Sequence, residues 1–243
     1  MGRHERVAEL AELGTPGLEV ADVATGPGRT VRAMLAVAAE PVRIHAVDTA
    51  SSLDDEVLHD ARVRSVLAAD LEAGSLPFAD GVLDRVVSLN VAEHLADPVA
   101  HIEDCFRVLR PGGLLVLAHS DWDTALFASA DDALTRLLVD RFVSTVPRWA
   151  ERADGFMGRK LLGLAISSPF ELVTATTWAD PHRRFDKGSV GWKVAMGVLA
   201  ATKDDPELSA KATAWVEGLG TMAAEGRFLF TVTDVALVLR RPQ

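Results

Sequence analysis

Two glycines and two aspartates stand where a nucleotide-like ligand could be held. The turn Asp22-Val-Ala-Thr-Gly-Pro-Gly28 follows an apolar run, and Gly26 and Gly28 let the backbone bend sharply and approach a ligand with no Cβ in the way. Twenty positions beyond Gly28, Asp48 closes a second apolar run; an acidic side chain there can accept both hydroxyl protons of a ribose and would repel a 2′-phosphate. Asp70 repeats the arrangement one run further on, where a carboxylate can accept from an exocyclic adenine amine. Each residue also has a plainer reading: tight strand-to-helix packing for the glycines, a helix cap for Asp48, a solvated strand end for Asp70. Two carboxylates at successive strand ends suit an adenosine.

The elements that must position these residues alternate. Val7, Leu10 and Leu13 have helical spacing before the break at Gly14-Thr-Pro-Gly17. Strands are then expected at 18–23, 42–47, 63–69, 83–89 and 114–118. A helix from 29 to 39 follows the glycine turn, and Ser51 or Ser52 can cap another with Asp54, Asp55 and Glu56 in its first turn. Asp97 and Pro98 supply an N-cap and first helical residue, Val99, Ile102, Phe106 and Leu109 form one face, and Pro111-Gly-Gly113 ends that helix. Strands alternating with helices imply a parallel sheet covered on both faces, with ligands at the carboxyl ends of its strands. Beyond residue 118 the pattern loosens. Helices are expected at 131–146, 159–166, 190–202 and 207–224, and strand-like runs at 170–178 and 228–239 pair as an antiparallel edge. The stretches 119–168 and 179–227 are thus helical insertions longer than loops, of the size used for lids, partner surfaces or acceptor pockets.

Composition narrows the classes. The chain has 243 residues, 49% of them hydrophobic, enough for one core and consistent with a single domain over 1–243. A net charge of −10 argues against a phosphate backbone as partner, because such binding needs a Lys/Arg stripe, and His182-Arg-Arg184 reads as a solvated turn. No apolar run approaches the ~20 residues of a membrane span, and the N-terminus has no apolar signal core. Cys105 is the sole cysteine, so no internal disulfide forms, in keeping with a cytoplasmic protein.

In order along the chain stand Val20-Ala-Asp-Val-Ala-Thr-Gly-Pro-Gly28, Ala46-Val-Asp48, Ala69-Asp-Leu71, the run Leu76-Pro-Phe-Ala-Asp-Gly-Val-Leu-Asp-Arg-Val-Val-Ser-Leu-Asn-Val-Ala-Glu-His-Leu95 and Val108-Leu-Arg-Pro-Gly-Gly113. Over residues 18–118 this set resembles the class I S-adenosylmethionine-dependent methyltransferases, in particular the type 11 group similar to the ubiquinone/menaquinone biosynthesis enzymes. The resemblance implies a Rossmann-like, doubly wound α/β fold: a mostly parallel seven-stranded sheet with an antiparallel edge strand, a cofactor-binding core over 18–118 and helical insertions after strands five and six. It implies S-adenosylmethionine as cofactor, held by Asp22 and the Ala24, Thr25, Gly26 and Gly28 backbone at the methionine end. Asp48 and Thr49 would lie at the ribose, Asp70 and Leu71 at adenine, and Asn90 beside the transferable methyl. Ala24 replaces the first glycine of the usual pattern.

The acceptor is less legible. A base is needed only for an acceptor that carries a proton; His94, after strand four, and His119, after strand five, are the candidates, since histidine titrates near the operating pH. His94 also reads simply as part of a helix start. Asp121 and Trp122 are candidate acceptor contacts, with Phe127, Phe142, Trp149, Phe156 and Met157 as further pocket walls, or plain core. Trp192, Met196, Trp215 and Met222 suit a lid or a homodimer surface, and with fewer than 20 residues before the first strand, the later insertions or a second subunit are expected to cover the site. Two rivals stand beside this reading. A nicotinamide dehydrogenase is disfavoured by Val31, where the dinucleotide fingerprint wants its third glycine, and by the absence of tyrosine. A cofactor-binding partner subunit or regulator that no longer methylates stays open. Strand four lacks an Asn/Asp-Pro-Pro-aromatic motif, which with the acidic charge points to a small-molecule acceptor. Its methylated atom, O, N or C, and a place in bacterial secondary or quinone-like metabolism are left open. One cysteine rules out a thiol-rich arsenite site, and no metal-ligand cluster is seen.

Overall fold

The computed structural model describes residues 1–49, 53–67, 71, 75–146 and 152–243. They form two compact units: Met1–His119 with Arg159–Thr177 and Asp234–Gln243, and Ser120–Gly158 with Trp178–Thr233.

In the first unit, β1 (Leu18–Val23) leads through the glycine turn into α2 (Arg29–Val37), after a short α1 (Arg3–Leu10). Then come β2 (Val42–Asp48), a one-turn α3 (Asp55–Leu58), β3 (Val63–Leu67), β4 (Leu83–Leu89), a 3₁₀ turn (Ala92–His94), α4 (Pro98–Val108) and β5 (Leu109–Phe127). Helix α6 (Met157–Ile166) precedes β6 (Glu171–Trp178), and β7 (Phe230–Arg240) closes the chain. The strands lie in the order β3-β2-β1-β4-β5-β7-β6, mostly parallel with an antiparallel edge. Val20, Ala21, Val23, Ile44, Val47, Val86, Val87, Leu115 and Val116 are buried, giving the near-continuous apolar strands of a sheet covered on both faces.

The order runs one way from β1 to β3 and the other from β4 to β6, so the switch point falls between β1 and β4, where such sheets open a crevice beyond the strand ends. Register sets those ends level: Val23 pairs with Val47 on one side and Ser88 on the other, and Leu89 with Ala118. Helix α4 is started as its sequence suggests, with Pro98 in the first turn and the Asp97 carboxylate accepting from the Val99 and Ala100 N–H groups at 3.0 Å each. His101 on its buried face reaches Ser88 of β4 (Nε2 to Oγ, 3.0 Å), and burial pushes this imidazole down to about 4.

Two expectations change. The helix after β2 is a single turn with Asp54 at its N-cap; Ser51, Ser52 and Trp149 lie outside the described residues. Strand β5 does not stop at residue 118 but runs to Phe127, so His119, Asp121 and Trp122 sit within a strand rather than after one. Alternating burial from Ala125 to Phe127 explains why the pairing continues past the polar residues.

The second unit holds α5 (Asp132–Val143), α7 (Val190–Ala201) and α8 (Pro206–Ala224) around its own core of Phe127, Leu138, Val139, Val198, Trp215, Leu219, Phe228 and Phe230. Phe127 meets Trp215 edge-on at 5.0 Å, and the Trp215 Nε1–H donates to Thr135 Oγ1 at 2.9 Å. Phe142, Phe156 and Met196 pack on this cluster, so these residues, read from sequence as pocket or lid, fill the unit's own interior together with Phe127 and Trp215. Among the described residues no helix is long and apolar enough to cross a membrane.

Candidate functional site

The turn after β1 is built on left-handed backbone. Ala24 (φ 55°), Gly26 (φ 54°) and Gly28 (φ 87°) all adopt positive φ, costly for Ala24 and natural for glycine. Within the turn the Thr25 N–H donates to the Val47 carbonyl at 3.1 Å and the Thr25 hydroxyl to the Asp22 carbonyl at 2.7 Å. The two glycines differ in purpose. A Cβ on Gly28 would come 3.0 Å from Val57 Cγ1 and 3.1 Å from Leu53 Cδ2, so this residue serves the packing of α2 on the α3 segment. Among the described residues a Cβ on Gly26 would meet nothing within 4 Å, so no described atom crowds it.

Asp22 ends buried beneath that turn, 2% exposed, and among the described residues its Oδ2 has no hydrogen-bond partner. Burial pushes its carboxyl up to about 7, opposed by a bond from Thr25 and reinforced by the nearby charge of Asp48. Such an atom suits a cationic or N–H-donating ligand, because an unsatisfied buried acceptor costs on the order of 1–3 kcal/mol. Asp48, at the end of β2, does not cap α3. Its Oδ2 accepts from the Gly26 N–H and its Oδ1 from the Thr49 N–H, both at 2.7 Å, so the carboxylate joins the ends of β1 and β2. The Thr49 hydroxyl also lies 3.4 Å from Oδ1.

At the end of β4, Asn90 is again left-handed (φ 58°), and its N–H donates to the Ala118 carbonyl at 3.0 Å. Positive φ at the non-glycine residues Ala24 and Asn90, on the strands flanking the switch point, is the kind of strain that collects at functional sites. Leu71 is a half-buried turn residue, and Asp70 lies outside the described residues.

Both candidate bases converge on a carboxylate that the sequence reading passed over. His94 Nε2 lies 3.2 Å and His119 Nε2 3.8 Å from Glu93 Oε1. Glu93 is 8% exposed and His119 fully buried, whereas a quarter of the His94 side chain is exposed. The signal was available: a carboxylate beside one named histidine and one strand away from the other. Asp121, buried, and Trp122, whose N–H donates to the Gly155 carbonyl at 2.9 Å and whose ring meets Phe142 edge-on, belong to the second unit. Among the described residues no group of three or more His, Cys, Asp or Glu side chains is arranged to hold a metal ion.

Residues 21–117 match the Methyltransf_11 family, described as a methyltransferase domain. A protein of Mycobacterium sp. (strain KMS) named an uncharacterized methyltransferase is 36% identical over 143 residues, covering 54% of this chain and 52% of that one. A ubiquinone biosynthesis O-methyltransferase of Xanthomonas campestris pv. campestris (strain B100) is 35% identical over 129 residues, covering 49% and 50%. The chain thus spans about half the length of the curated relatives it matches. Among solved structures, a geranyl diphosphate methyltransferase in complex with SAM superimposes with a TM-score of 0.56 at 14% identity, covering 98% of this chain and 84% of that one, a likeness of fold.

Proposed function

We propose that this chain, whose residues 21–117 match a methyltransferase domain, is a class I S-adenosylmethionine-dependent methyltransferase of the type 11 group that methylates a small-molecule acceptor. The observation that carries the reading is the buried Asp22 Oδ2, which has no hydrogen-bond partner among the described residues, at the end of β1 by the switch point. The residues present fit the cofactor. Asp22 suits the ammonium of its methionine portion, Asp48 with Thr49 its ribose hydroxyls, and the uncrowded Gly26 allows close approach of the turn. Asp70 with Leu71 is assigned to adenine and Asn90 to the methyl end.

When bound, S-adenosylmethionine supplies a methyl activated on a sulfonium: the acceptor lone pair forms the new bond to carbon as the carbon–sulfur bond breaks with its electron pair on sulfur. The chain's own task is then alignment. Asp22 in its ionised form fixes the charged end, and a cation brought there favours that form. Asp48 holds the Gly26 amide and the ribose with one carboxylate. A small acceptor is supported by the net charge of −10, and an oxygen acceptor by the name of the Xanthomonas relative.

Calorimetry with S-adenosylmethionine tests this. The folded protein is expected to bind, and Asp48→Ala to weaken binding by about 1.5–3 kcal/mol, the scale of a hydrogen bond to a charged group. Unchanged affinity in a folded Asp48→Ala protein removes Asp48 from the site, and a dinucleotide binding in place of S-adenosylmethionine overturns the function.

A further inference from the structure

We propose that the loop entering α7 binds the phosphate group of a small phosphate ester, held by Arg183, Lys187 and the Ser189 hydroxyl. The inference is independent of the methyl-transfer reading and concerns the second unit alone. His182-Arg-Arg184 is solvated, as its sequence suggests, but together with Lys187, Gly188 and Ser189 it also lines an open cleft of about 560 Å³. That volume is of the size that takes small molecules, about 300–1,000 Å³.

The loop's shape is fixed by its own bonds. At its entry the His182 N–H donates to the Phe230 carbonyl at 2.8 Å and the Phe230 N–H to the His182 carbonyl at 2.9 Å. In its middle the Phe185 ring packs on the unit's core, 5.0 Å from the ring of Phe228. At its exit the Ser189 N–H donates to the Asp186 carbonyl at 2.9 Å, and Ser189 Oγ accepts from the Asp186 N–H at 3.3 Å and the Trp192 N–H at 3.4 Å. A backbone tied at both ends and plugged into the core has little further entropy to lose to a ligand.

The charges on this frame do not balance. Arg184 Nε donates to Asp186 Oδ2 at 3.1 Å, and that pair neutralises itself. Arg183 and Lys187 are exposed and have no ion pair or hydrogen bond among the described residues, so two positive charges are left over in a chain of net charge −10. A hydroxyl carries one proton and two lone pairs; both lone pairs of Ser189 are taken by N–H groups, which leaves its proton to donate to a ligand. Val190 then opens α7 with an N–H that no helix satisfies internally, and no acidic residue stands in the first turn. Guanidinium, ammonium, hydroxyl and amide are donors without exception. A phosphate monoester answers them with three acceptor oxygens and a charge of about −2, whereas a carboxylate offers two oxygens and one charge. The rest of the cleft is room for the organic part of the ester, and the acidic charge of the whole chain disfavours a longer polyanion such as nucleic acid.

Calorimetry on the whole chain at constant ionic strength tests this, with phenyl phosphate, inorganic phosphate and benzoate as probes. Phenyl phosphate is expected to bind most tightly, inorganic phosphate less so because the cleft beyond the anion stays unfilled, and benzoate least. Arg183→Gln and Lys187→Gln are each expected to weaken phenyl phosphate about tenfold or more, the scale of one charge-assisted hydrogen bond, and the double variant more than either. Lys211→Gln, which takes the same charge from the exposed face of α8, is expected to leave the affinity unchanged. In the ¹⁵N-labelled unaltered protein the Gly188 and Val190 amide signals are expected to move on titration, which locates the anion without any variant. The proposal is overturned if the folded protein binds no phenyl phosphate, if other amides move and these do not, if benzoate binds as tightly, or if Lys211→Gln weakens binding as much as Lys187→Gln. Equal affinity for inorganic phosphate overturns the ester and leaves free phosphate as the ligand.

Discussion

The two units bury different things. At the strand ends of the first, Asp22, Glu93 and His119 are enclosed, groups that cost stability unless something answers their charge or hydrogen bonds. The second unit, the buried Asp121 apart, encloses mostly Phe127, Trp215, Phe228, Phe230 and aliphatic partners, and the Trp215 indole N–H finds Thr135 within the unit. The polar burial of one unit is what a binding site retains at a cost, whereas the aromatic burial of the other is self-sufficient packing. An aromatic-rich segment is therefore no pointer to a ligand until its own core has been accounted for.

Attacking the self-sufficient side should give the largest effect. Trp215→Ala removes the ring that meets Phe127 and is expected to cost about 3–5 kcal/mol of unfolding free energy in denaturant titrations. A loss under ~1 kcal/mol would mean that Trp215 is not core, and the contrast would collapse.

The costly side should behave in the opposite sense. Because the Asp22 carboxyl rises from 3.8 to about 7 on folding, the folded state holds its proton over that window and the unfolded state does not. Stability is thus fully present below pH ~4 and declines as pH rises through about 7. Asp22→Asn should remove that decline, giving a protein about 2–4 kcal/mol more stable at pH 8 and little changed at pH 4, while S-adenosylmethionine affinity falls about 10- to 100-fold. A variant destabilised at pH 8, or one that binds S-adenosylmethionine as before, contradicts the picture of a charge kept for a ligand.

Smaller effects sharpen the boundary. Asp97→Ala, which deletes the cap of α4, is expected to lower stability by about 1 kcal/mol at neutral pH. Ala24→Gly should raise it by about 0.5–1 kcal/mol, since relief of a left-handed alanine, worth roughly 1–2 kcal/mol, exceeds the added freedom of the unfolded chain. Thermal melts separate these from no effect.

What was legible in the sequence follows the same divide. Strands β1 and β4 and the Asp97–Pro98 helix start were readable to the residue, because apolar runs and caps are local chemistry. The length of β5 was not, since Asp121 and Asp123 look like a loop and only pairing keeps them extended. Gly26 and Gly28 look alike in sequence; Leu53 and Val57, brought in by the fold, tell them apart. Glu93 was overlooked because its meaning depends on His119, which arrives by strand register and not by spacing.

The bond from the Gly26 amide to Asp48 also bears on kinetics. Since the turn after β1 is already tied to the neighbouring strand by its own side chain, a ligand meets a loop whose entropy has been surrendered during folding. Association should then be set by diffusion into an open crevice, with differences in affinity among mutants of this turn emerging as differences in residence time.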